Sequence, residues 1–142
     1  MFTILVRHED TCSYNCSKFI SYTLDQPVSD SSGRHVSSRS EIEGRVFTLD
    51  LLRFSNGSFA NISEDPVARI GAISISIRTQ QGVNSSTLIP DRRGSIFSGM
   101  IGELIAEKTK GIAVVSLYLR EEVDPQIMKI LLNEISKLLD QD

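Results

Sequence analysis

Hydrophobic residues recur with two different periods along this chain. From Arg45 to Phe54, the apolar residues Phe47, Leu49 and Leu51 alternate with Thr48, Asp50 and Leu52, the two-residue period of a strand. Ser55-Asn56-Gly57 is a turn signal, and Ser58 to Ile62 reads as the returning strand of a hairpin. Ile70 to Arg78 alternates most clearly, with Ile73, Ile75 and Ile77 between Ser74 and Ser76. Gln80 to Asn84 is a loop around Gly82, and Ser86 to Ile89 is a short strand ahead of Pro90. Near the start, residues 2–7 and Lys18 to Leu24 read as two further strands.

The period then lengthens. Ile96, Phe97, Met100, Ile101, Leu104 and Ile105 form an apolar helical stripe, with Ser95 as its expected N-cap and Gly111 as its left-handed stop. Ile112 to Leu119 is a strand apolar on both faces. Asp124 caps a last helix with Pro125 in its first turn, and Ile127, Met128, Leu131, Ile135 and Leu138 make its buried stripe. The order predicts an α+β fold: a mostly antiparallel sheet of about six strands with two helices packed on one face.

One segment breaks the pattern. Gln26 to Gly44 carries six serines from Ser29 to Ser40, with Pro27, Gly33 and few apolar residues. Such a stretch buries too little to offset its ordering entropy, so 26–44 is expected to be a mobile loop within a single domain, 1–142. A phosphorylation loop is the functional alternative to a plain solvated insertion.

Alternation also sorts side chains by face. Phe47, Leu49, Leu51, Ile73, Ile75, Ile77, Val115, Leu117 and Leu119 are assigned to the helix-covered face. The opposite face takes Val46 together with Thr48, Leu52, Phe54, Ser74, Ser76, Val114, Ser116 and Tyr118. That set is neither a charged solvent face nor a full core. It suits a partner interface in which a second sheet packs against it, more than a mildly apolar exposed surface.

Composition narrows the function classes. A net charge of -3, with Arg92-Arg93 the only adjacent basic pair, argues for no nucleic acid as partner. No stretch approaches the length of a membrane span, so no membrane association is expected. Met1 to His8 is apolar but too short and too weakly flanked for a signal peptide, so the cytoplasm, with the nucleus as a further compartment, is the expected location. The Asn-x-Ser/Thr triplets at Asn15, Asn56, Asn61 and Asn84 are then incidental.

Candidate chemistry is sparse. His8, Cys12 and Cys16 fall at spacings of four, but their segment reads as strand and loop and lacks a fourth ligand, so two free thiols and no metal site are expected. There is no phosphate-binding glycine loop: Gly99-Met100-Ile101-Gly102 lies within the predicted helix and suits close helix packing. His35 lies in the Ser-rich loop beside no nucleophile. Asp91-Arg92-Arg93-Gly94 reads as a charged surface turn, with a phosphate or acidic partner at the helix start as the alternative. Glu121-Glu122 with Asp124 reads as a solvated turn and helix cap. No catalytic residues and no cofactor are assigned. A small enzyme using His8, Asp91 or Glu121 is the outlying reading.

The run from Gly99 to Leu119, GMIGELIAEKTKGIAVVSLYL, resembles the proteasome assembly chaperone 4 family, whose members have a similar helix ending in Leu-Ala-x-Lys-Thr and a following strand with Val-x-Val-Ser. The likeness extends over residues 45–139. The Ser-rich insertion departs from the compact family pattern, as does a glycine ahead of the second strand where the family often has a larger residue; a fungal-type member with an insertion accounts for the loop. The resemblance implies a non-catalytic chaperone that forms a heterodimer with a paralogous assembly chaperone and binds a proteasome alpha-type subunit during alpha-ring assembly of the 20S core particle. A longin- or roadblock-like dimeric scaffold in trafficking or signalling is the alternative.

Overall fold

The computed structural model describes residues 34–141. The predicted strands at 2–7 and 18–24, and His8, Cys12, Asn15 and Cys16, lie outside the described residues. The described chain runs β1 (Arg34–Ile42), β2 (Arg45–Phe54), β3 (Gly57–Ser63), β4 (Ala72–Thr79), β5 (Gly82–Ile89), α1 (Ser95–Thr109), β6 (Ile112–Tyr118) and α2 (Pro125–Leu139). The strands form one sheet in the order β1-β2-β3-β6-β4-β5. Every neighbouring pair is antiparallel except β3 with β6. The α+β fold class, with a mostly antiparallel sheet and two helices, is as the sequence predicts.

The expected loop at 26–44 is corrected over 34–42, which form edge strand β1. Val36, Ser38 and Ser40 pair with Leu51, Leu49 and Phe47, and Ile42 is buried. The alternation is real but carried by serines, so apolar content alone missed it. Glu43 and Gly44, both at positive φ, close the β1–β2 hairpin.

The core lies between one sheet face and both helices. Phe47, Leu49, Leu51, Ala60, Ile62, Val115 and Leu117 meet Ile101 and Ile105 of α1 and Ile127, Leu131 and Ile135 of α2. Strand β4 is inverted relative to the sequence assignment. Ser74 and Ser76 are fully buried on the helix side, and Ile73, Ile75 and Ile77 point to the other face. The cause is close helix–sheet packing. A Cβ on Gly102 would lie 2.4 Å from the Ser76 hydroxyl oxygen and 3.6 Å from that of Ser74, leaving no room for isoleucines beneath α1. The same contact rotates the helix: Ser98, Ile101, Gly102, Ile105 and Ala106 are its buried residues, whereas Ile96 and Met100, assigned to the buried stripe, are exposed.

The helix ends follow local chemistry. Asp124 accepts hydrogen bonds from the amides of Gln126 and Ile127 (2.8 and 2.9 Å), with Pro125 at the first turn. At α1 the capping position is Gly94, without a side-chain cap, and Ser95 is instead the first helical residue, its hydroxyl donating to the Asp91 carbonyl at 2.7 Å. The left-handed stop is Lys110. Gly111 serves a different need, since a Cβ there would meet the Asn56 carbonyl oxygen at 2.5 Å.

Candidate partner interface

Register converts the strand pattern into a surface. On the sheet face away from the helices, cross-strand neighbours form rows. One row is Phe54, Gly57, Ile112 and Ile77. The next is Leu52, Phe59, Val114 and Ile75. Together they place seven large apolar side chains side by side on β2, β3, β6 and β4. No helix covers them: Phe54 is 53% exposed, Ile77 42% and Phe59 40%. Contiguous apolar patches of this kind mark association surfaces.

The following rows are polar. Asp50, Asn61 and Ser116 continue into Ile73, and Thr48 and Ser63 into Tyr118. The β3–β4 connection, Glu64 to Gly71, folds over this end. The Gly71 amide donates to Ser116 Oγ (3.2 Å), the Arg69 amide to Ser63 Oγ (3.1 Å), and Thr48 Oγ1 to the Asp65 carbonyl (3.1 Å). The Arg69 guanidinium stacks 5.5 Å from the Tyr118 ring centre. A Cβ on Gly71 would come within 2.1 Å of the Leu117 carbonyl oxygen, so only glycine lets the connection cross β6 this closely.

Of the assigned interface residues, Leu52, Phe54 and Val114 lie in the uncovered apolar rows. Thr48, Ser116 and Tyr118 share that face but lie under or beside the connection. Ser74 and Ser76 belong to the opposite face, beneath α1. The same rows also hold Phe59, Ile112, Ile75 and Ile77, which the sequence pattern did not assign to this face. For β4 the missing signal was Gly102, the small residue that demands small partners.

A partly buried ion pair braces the end of the sheet where the connection begins. Arg45 Nε and Nη2 donate to the two Glu64 carboxylate oxygens at 2.7 and 2.6 Å, and the Arg120 amide donates to the same carboxylate at 2.8 Å. Arg45 also reaches the Glu121 and Glu122 carbonyls (3.2 and 3.1 Å). Burial pushes the Glu64 carboxyl up, but the Arg45 and backbone hydrogen bonds outweigh it and hold the group below its ordinary range. The Glu64 hydrogen bond correspondingly raises Arg45. Glu121 and Glu122 thus supply a turn, as expected. In the Asp91–Gly94 turn, Arg93 donates to the Arg120 carbonyl at 2.7 Å. Among the described residues no group of three His, Cys, Asp or Glu side chains is placed to hold a metal ion.

No protein-family model and no curated protein matches this sequence. Among solved structures, a chain from a chaperone complex for yeast 20S proteasome assembly is similar, with a TM-score of 0.57 and 15% identity, covering 77% of this chain and 94% of that one. At that identity the likeness is one of fold alone.

Proposed function

We propose that this chain is a non-catalytic proteasome assembly chaperone of the chaperone 4 type. It heterodimerises with a paralogous chaperone and binds a proteasome alpha-type subunit to promote alpha-ring assembly, in the cytoplasm and the nucleus. The carrying observation is the uncovered double row from Leu52 and Phe54 across to Ile75 and Ile77, on a fold like that of a subunit in a proteasome assembly chaperone complex. Phe54, Ile77, Phe59 and Ile112 are 37–53% exposed, and burying the rest of each contributes about 1 kcal/mol, which with the smaller remainder of Leu52, Ile75 and Val114 gives a second sheet a reason to pack there. Function then needs shape and apolar area, and no reacting group.

The test is co-expression with the similarly folded chaperone of the same organism, followed by binding to individual purified alpha-type subunits. The pair is expected to co-elute and to retain one alpha-type subunit. Phe59→Asp together with Val114→Asp is expected to abolish pairing while the single chain keeps its circular dichroism spectrum. A stable pair that retains no alpha-type subunit, or a wild-type chain that stays monomeric with every paralogue, would falsify the reading. Co-purification with membrane-traffic regulators instead would favour the dimeric trafficking scaffold.

A further inference from the structure

The two edges of the sheet differ. Edge strand β1 carries Arg34, His35, Arg39 and Glu41, charges of the kind that keep an edge from pairing with another chain. Edge strand β5, GVNSSTLI, has no charged residue and no proline, and it is exposed almost throughout. A register shift at Leu88 bends its last residues, leaving Gly82 to Thr87 in regular pairing with β4. The outer backbone groups of those residues have no hydrogen-bond partner elsewhere among the described residues.

Helix α1 lies along this edge. It runs back beside β5, and Glu103 accepts a hydrogen bond from Ser85 Oγ at 3.0 Å. Gly99 and Ile96, four and seven residues earlier, share that side of the helix. Ile96 is 79% exposed. Gly99 is unlike Gly102: a Cβ at Gly99 would have no neighbour within 4 Å. Glycine inside a helix is unfavourable relative to alanine, and nothing in the described chain requires it here. Glu103 has no cationic partner among the described residues, whereas Glu107 pairs with Arg78 and Lys110.

We propose that β5 and this side of α1 form a docking site for an extended segment of another protein, added antiparallel to Gly82–Thr87 as a seventh strand. Running in the same direction as α1, the segment places one apolar side chain against Ile96, a second in the notch over Gly99, and a Lys or Arg beside Glu103. Strand residues two apart are about 7 Å apart, and the helix positions rise by about 4.5 Å from Ile96 to Gly99 and about 6 Å from Gly99 to Glu103, a difference that the length of the three side chains spans. The recognised pattern is apolar-x-apolar-x-basic, with affinity from the main chain and selectivity from the three helix-facing positions. Charge complementarity selects a foreign segment over a second copy, because β5 itself offers no cation to Glu103. The site is separate from the apolar rows of the sheet and does not depend on the chaperone reading.

The test uses full-length protein and the labelled peptide acetyl-Thr-Ile-Thr-Leu-Thr-Lys-Thr-amide in fluorescence anisotropy. Saturable binding in the micromolar range is expected. N-methylation of alternate peptide amides should abolish it, because the ladder needs those donors. Glu103→Lys should weaken it roughly fivefold, as an exposed ion pair allows, and should reverse the preference toward the peptide with Glu in place of Lys. Gly99→Leu, which fills the notch, should weaken it while the unfolding temperature holds or rises. No binding, binding indifferent to N-methylation, or no charge reversal with Glu103→Lys overturns the proposal. So does a concentration-dependent dimer that excludes the peptide, since a second copy would then own the edge. Open-face pairing remains measurable in every variant, so failure here is distinct from failure of the chaperone reading.

Discussion

Replacing Gly102 with alanine sets a methyl group 2.4 Å from Ser76 Oγ and 3.3 Å from Ser76 Cβ. Two responses are open. The helix can lift, an overpacking cost of about 1–3 kcal/mol. Otherwise the Ser76 hydroxyl can swing away from Ser85 Oγ, its 2.9 Å partner, leaving a fully buried hydroxyl unpaired at about 1–3 kcal/mol. Against either stands the helix preference for alanine over glycine, about 1 kcal/mol. The expected net is about 1 kcal/mol of destabilisation. Gly99→Ala takes the same gain into open space and should stabilise by about 1 kcal/mol. Two glycine-to-alanine changes within one turn of the same helix should therefore move stability in opposite directions. Ser76→Ala alone loses the Ser85 bond, about 1 kcal/mol. In that background the new methyl at 102 no longer meets an oxygen, so the pair should couple favourably by about 1–2 kcal/mol. Urea unfolding followed by circular dichroism measures all five proteins. A Gly102→Ala variant as stable as Gly99→Ala, or one strictly additive with Ser76→Ala, would refute the packing argument and with it the reason given for the inverted β4.

Other outcomes are as definite. Glu64→Gln should cost about 2 kcal/mol, in the range for a hydrogen bond to a charged group and below that for a fully buried pair, because Arg45 is partly solvated and keeps two carbonyl acceptors. Since the folded Glu64 carboxyl is held below its ordinary value, its contribution is complete above the ordinary carboxylate range and is lost as pH falls below it. Wild type and Glu64→Gln should therefore converge in acid titrations of unfolding free energy, and parallel curves would count against the pair. Asp124→Ala should destabilise by about 1 kcal/mol through loss of two amide acceptor contacts, read as a lower denaturant midpoint with unchanged slope. Ile77→Ser, on the open face, should leave single-chain stability within about 0.5–1 kcal/mol yet weaken pairing with the paralogue, measured by analytical ultracentrifugation.

Much of the fold was legible because most elements keep a clean period. The two-residue alternation of β2 and β6 placed Phe47, Leu49, Leu51, Val115 and Leu117 on the covered face, where they are buried. The last helix was readable from Asp124, Pro125 and its stripe. Three features were not legible, each for a reason of size. β1 alternates through serines, which apolar content cannot see. β4 has two self-consistent registers, and the apolar one is wrong because Gly102 brings the helix too close for isoleucine. The position of α1 follows from the same contact, which turns Ile96 and Met100 outward.

The inversion of β4 bears on the proposed pairing. A chain that worked alone would gain by turning Ile73, Ile75 and Ile77 toward the helices and the serines toward water. Here Ser74, Ser76 and the Ser74 hydroxyl oxygen, which has no hydrogen-bond partner among the described residues, are buried instead. Close packing at Gly102 compensates only part of that arrangement, because a larger helix residue over isoleucines would bury more apolar area. The balance shifts if the isoleucines are also buried in the working state. They continue the rows of Phe54 and Ile112 and of Phe59 and Val114 without interruption, and the β3–β4 connection shields the polar end of the face while leaving those rows clear. A sheet built this way has one core closed by its own helices and a second apolar face that the proposed pairing would close.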